Sequence, residues 1–124
     1  MKKLAVMVTT PPNNHLTQTA YQVILKAISQ NIEIIGVFFY QAGVLNASQY
    51  LTAPTDEFPL NKRWQALKSD HNIPLYLCST AAEKHGLIDN KQPMNTDLII
   101  DGFTISGLGE LVELTLKADR VVQL

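Results

Sequence analysis

Apolar positions along the chain alternate between short solid runs and longer spaced patterns. Leu4 to Val8 is a solid run that stops at Thr9-Thr10-Pro11-Pro12, as a fully buried strand would. After the Pro-Pro-Asn-Asn loop, Ala20, Tyr21, Ile24, Ala27 and Ile28 recur at helical spacing. They predict an amphipathic helix that starts near Asn14 to Thr17 and ends near Asn31. Ile32 to Tyr40 is rich in β-branched and aromatic residues and predicts a second strand. Val44, Ala47 and Leu51 are spaced for a short helix. Ala53 to Glu57 reads as a loop, with Asp56 capping the next helix and Pro59 in its first turn. Leu60, Trp64 and Leu67 line one face of that helix, which reaches His71-Asn72.

A third strand, Ile73 to Leu77, runs into Cys78, and Ser79 to His85 is helix-forming material closed by Gly86. Leu98-Ile99-Ile100 fits either a short strand or an apolar plug in a loop. Ser106 is placed to N-cap a last helix that opens through Gly107-Leu108-Gly109-Glu110 and runs to about Lys117. Val121 to Leu124 is the final strand. This alternation predicts a three-layer α/β fold around a parallel sheet of four or five strands. In the last helix Leu108, Leu111, Val112, Leu114, Leu116 and Ala118 cover more than one side, which predicts burial on two sides. The second cover is either another subunit or the chain's own loops.

The 124 residues, 46% hydrophobic and 17% charged, suit one folded domain over residues 1–124 and argue against disorder. A net charge of -1 gives no basic excess for a phosphate backbone, so direct nucleic-acid binding is not expected. Met1 to Val8 briefly imitates a signal peptide, but the apolar run is short and no small-residue cleavage site follows. No segment is long enough to cross a membrane, and no membrane partner is expected.

The single cysteine rules out an internal disulfide and fits the reducing cytoplasm. Cys78 sits where a strand hands over to a helix, at the sheet edge where α/β folds gather ligands and reacting groups. A lone cysteine is more often a small buried hydrophobe than a nucleophile. A helix N-terminus, however, favours the thiolate, and Ser79 and Thr80 place hydroxyls beside it. A Cys–His pair needs an imidazole within hydrogen-bond reach. His85 lies about 10 Å away along the helix axis. His15, in the loop after the first strand, is the better candidate neighbour, and His71 reads as a solvated helix end.

One cysteine and three scattered histidines give no zinc template and imply no metal. Gly107-x-Gly109 lacks the third glycine of a dinucleotide fingerprint and does not follow the first strand, and there is no Walker lysine, so no cofactor is expected. Those glycines read as packing positions, and Asp56 and Glu57 read as capping groups rather than a catalytic carboxylate pair. The remaining chemistry is that of one activated thiol, which suits thiol exchange or sulfur transfer through a persulfide. A buried, inert cysteine in an assembly subunit and a small ligand-binding α/β module are the other readings.

Motifs over nearly the whole chain add a family resemblance. They are Val8-Thr9-Thr10-Pro11, Val37-Phe38-Phe39-Tyr40 followed by Gly43 to Ala47, Asp56-Glu57-Phe58, Trp64 to Leu67, and Leu77-Cys78 with Ala81-Ala82 and Gly86. The ending, Gly102 to Leu111 and Asp119 to Leu124, completes the set. Together they resemble the DsrE/TusD family of small sulfurtransferase subunits, nearest its TusD branch.

The resemblance implies a cytoplasmic protein with a DsrE-like fold around a five-stranded parallel sheet. By position it makes Cys78 the persulfide carrier, with Ser79, Thr80, Thr10, Tyr40 and Lys84 as supporting residues. It implies a heterohexamer with TusB- and TusC-like subunits, a TusA-like sulfur donor and a TusE-like acceptor, serving 2-thiolation of the tRNA wobble uridine. DsrE itself serves sulfur oxidation in a similar assembly. The chain departs from the pattern at Lys84-His85, where the family has an arginine-rich helix end, and in a short segment from Asp89 to Asp97.

Overall fold

A computed structural model describes residues 2–51, 59–89, 91 and 94–124. The elements run β1 (Lys3–Val8), α1 (His15–Ser29), β2 (Glu33–Phe39), a 3-10 helix (Gln41–Ala47), α2 (Leu60–His71) and β3 (Leu75–Cys78). They continue with α3 (Ser79–Lys84), β4 (Phe103–Ser106), α4 (Leu108–Lys117) and β5 (Arg120–Gln123). The strands form one five-stranded sheet in the order β4-β3-β2-β1-β5, with every pairing parallel. All carboxyl ends therefore share one edge, and Cys78 ends β3 on that edge.

Strand alternation sends neighbouring residues to opposite faces, which assigns the layers. On one face the Trp64 ring of α2 meets Phe39 of β2 edge-on at 5.0 Å, and Tyr21 of α1 at 5.5 Å. Phe103 of β4 extends the cluster, 5.3 Å from Phe39. α1 turns Thr17, Ala20, Ile24 and Ala27 inward, and its N-cap Asn14 accepts a hydrogen bond from the Leu16 N–H at 2.9 Å. The other face belongs to α4, whose Leu114 packs on Gly36 of β2 beside Tyr76 of β3. Three layers result, with the sheet in the middle.

Several expectations change. Ser106 is not a helix cap: it ends β4, and Gly107 takes the N-cap position of α4 without a side-chain cap. Pro59 holds the N-cap position of α2 instead of its first turn. The proposed capping by Asp56 and the motif Asp56-Glu57-Phe58 lie outside the described residues. The short helix expected through Leu51 is a 3-10 helix that ends at Ala47. Leu98-Ile99-Ile100 makes one antiparallel bridge, Ile99 to Ser48, and the fourth strand comes later, at Phe103.

α4 differs most from expectation. Only Leu114 is buried, whereas Leu108, Val112 and Leu116 are 49%, 56% and 79% exposed. These three, spaced four residues apart, form one ridge pointing away from the sheet. Among the described residues no loop covers it.

Candidate functional site

The carboxyl edge is shaped by how the chain leaves β2. Gln41 adopts a left-handed backbone, φ 51°, and turns the chain directly into the 3-10 helix. That helix folds back over the edge because Gly43 lies against the end of β1, where a Cβ would overlap the Val8 carbonyl. Buried Asn46 then ties three elements together. Its amide donates to the carbonyls of Thr10 at 3.2 Å and Gly43 at 2.9 Å, and its oxygen accepts from Trp64 Nε1 at 3.1 Å.

Thr10 belongs to this structural network. Its hydroxyl pairs with that of buried Thr17 at 2.7 Å, and Thr17 also donates to the Pro11 carbonyl at 2.6 Å. Tyr40 lies closer to Cys78. Phe39 pairs with Leu77, so one further step puts Tyr40 level with Cys78, on the face that also carries Phe38 and Tyr76. The Tyr40 N–H donates to the Val8 carbonyl at 2.9 Å, continuing the ladder beyond the named strands.

Cys78 itself is the N-cap residue of α3 and only 1% exposed. Ser79 is half-buried and Thr80 exposed, and neither hydroxyl contributes a hydrogen bond among the described residues. Lys84 stands exposed in the last turn of α3, away from the thiol and suited to the helix dipole. α3 ends in a Schellman arrangement: Gly86, φ 76°, donates to Glu83 at 3.0 Å and Leu87 donates to Ala82 at 2.8 Å. His15, His71 and His85 are all exposed, and none hydrogen-bonds to Cys78 among the described residues. Thus Tyr40, Ser79 and Cys78 share the edge, Thr10 lies one loop away, and Lys84 is outside it.

Two neighbours of Cys78 escape sequence reasoning. Ser106 is its register partner on β4, and the Ser106 hydroxyl is buried without a hydrogen-bond partner among the described residues. Tyr76 lies two residues earlier on the same face. Its phenol is pushed above the ordinary value first by burial, then by hydrogen bonding to Glu110 of α4 and the charges of Glu110 and Glu113. Beside the edge, Pro11, Pro12, Leu45, Tyr50 and Leu51 help line a mostly apolar cleft of about 330 Å³ that does not include Cys78.

Among the described residues no group of three or more His, Cys, Asp or Glu is placed to hold a metal ion, and no helix is long and apolar enough to cross a membrane. The model of the DsrE/DsrF-like family matches residues 2–124. The chain belongs to the DsrE/DsrF-like family. This family is associated with sulfur transfer. Among solved structures, the YchN protein from E. coli superimposes with a TM-score of 0.79. The match covers 100% of both chains at 22% sequence identity and shows that the two share a fold. The five-stranded parallel sheet with helices on both faces is thus a DsrE-like architecture, and Cys78 lies at its carboxyl edge.

Proposed function

We propose that this chain is a sulfur-relay subunit in which Cys78 carries a persulfide. One observation carries the reading: the only cysteine of a DsrE/DsrF-like chain stands at the carboxyl end of an inner strand, at the strand–helix junction. The Cys78 thiolate attacks the outer sulfur of a donor persulfide, R–S–SH. The donor's S–S bond breaks, R–S⁻ leaves, and Cys78 holds S–SH. An acceptor thiolate then attacks that outer sulfur, and Cys78 departs as thiolate. No metal, nucleotide or external oxidant enters the balance.

The finer role follows the family resemblance. The chain serves 2-thiolation of the tRNA wobble uridine, with TusB- and TusC-like subunits, a TusA-like donor and a TusE-like acceptor, in the cytoplasm. The exposed ridge of Leu108, Val112 and Leu116 supports work in an assembly, because such a ridge suits a protein interface. Incubation with a persulfidated donor protein followed by intact-mass measurement tests the reading. It predicts one added sulfur on the protein and none on a Cys78→Ser variant.

A second reading has its own observation. At 1% exposure, Cys78 meets a donor only if the cover over the edge moves. A non-catalytic assembly subunit keeps that cover closed. It predicts alkylation of Cys78 only in denaturant, and full pathway activity after Cys78→Ser.

A further inference from the structure

We infer that the Ser106 hydroxyl is the hydrogen-bond donor for the outer sulfur of a Cys78 persulfide, a positioning role that rests on the carrier reading above. Ser106 and Cys78 are register partners that end adjacent parallel strands. Such partners direct their side chains to the same face of the sheet, on strands about 4.8 Å apart. The Ser106 oxygen is shut off from solvent, yet it has no hydrogen-bond partner among the described residues, the Cys78 thiol included. Buried hydroxyls are ordinarily paired, because an unpaired one keeps its full desolvation penalty.

A persulfide supplies the missing partner. It lengthens the cysteine by one S–S bond, about 2.05 Å. The charge of Cys78–S–S⁻ rests on the added sulfur, which accepts a hydrogen bond from a hydroxyl beside it. β3 and β4 are the last two strands at that end of the sheet, so the pair stands at the carboxyl edge with only β4 beyond Cys78.

The test loads the purified protein with dilute inorganic polysulfide. The Cys78 thiolate attacks hydrodisulfide, HS–S⁻, to give Cys78–S–S⁻ and HS⁻. After desalting, intact-mass spectrometry follows loss of the added sulfur to 2-mercaptoethanol over a range of pH, with Cys78→Ser as the blank. Ser106→Ala is expected to lose the sulfur about tenfold faster, the effect of removing one hydrogen bond to a charged group. The midpoint of its pH profile moves upward, because the anion loses a donor. Ser106→Thr, which keeps the hydroxyl, restores both.

Alkylation of the unloaded thiol by iodoacetamide separates this role from packing and is expected to stay within about twofold of wild type. Equal sulfur lifetimes and pH profiles in wild type and Ser106→Ala overturn the inference and leave the carrier reading standing. So does a shorter lifetime matched by an equal rise in unloaded alkylation, which would mark Ser106 as packing alone. A wild-type protein that takes up no sulfur overturns both.

Discussion

Gly43 lies against the Val8 carbonyl with no space for a side chain between them. This contact seats the 3-10 helix on the end of β1 and so helps close the edge where Cys78 is buried. A Cβ at position 43 would meet backbone, which cannot swing aside as a flexible side chain can. Gly43→Ala is therefore expected to destabilise the fold by about 3 kcal/mol, at the upper end of overpacking costs. It should also speed alkylation of Cys78 under native conditions. Denaturant unfolding together with a native alkylation time course checks this, and an unchanged midpoint would contradict it.

Gly86 ends α3 for a different reason. No described residue lies within 4 Å of a Cβ built there, but its φ of 76° disfavours any L side chain. Gly86→Ala should cost about 1 kcal/mol through the backbone alone. A loss beyond about 3 kcal/mol, read from denaturant midpoints, would mean that the position carries packing absent from this structure.

Tyr76, on the strand that carries Cys78, is under the electrostatic influence of Glu110 of α4. Burial and the two glutamates raise the Tyr76 phenol above its ordinary value, so the folded state favours the neutral form. The associated stability is fully present below about pH 10, the unfolded value, and is lost as pH rises through the folded value. In an alkaline absorbance titration Tyr76 should ionise above the ordinary tyrosine range, with Tyr76→Phe identifying its step. Glu110→Gln should lower that step without returning it to the ordinary value, since burial remains the larger cause. An identical titration in Glu110→Gln would show that Glu110 does not raise the phenol.

Much of this architecture is legible in the residue pattern. Ile32 to Tyr40 is apolar and β-branched enough to declare a central strand, and Gly86 declares a helix end that the Schellman bonds then display. Ser106 misleads because Ser-Gly-Leu-Gly-Glu has the composition of a capped helix start. The strand it ends, Phe-Thr-Ile-Ser, is too short for its alternation to register. Periodicity also cannot distinguish a helix buried on two sides from one whose outer ridge stays bare, which is the state of α4 here. The junction at Cys78 is local and readable in one stretch of chain. Its cover depends on Gly43 meeting Val8, thirty-five positions earlier in sequence, and no local pattern reports that meeting.

The central claim is that sulfur passes through Cys78 and does not merely lodge there. The most direct measurement uses a donor protein carrying an isotopically labelled persulfide sulfur and follows intact masses after an acceptor thiol protein is added. The account predicts that the label appears on this chain, leaves it, and reaches the acceptor, with Cys78→Ser abolishing all three. Label that never leaves Cys78, or that reaches the acceptor equally well with Cys78→Ser, would contradict it.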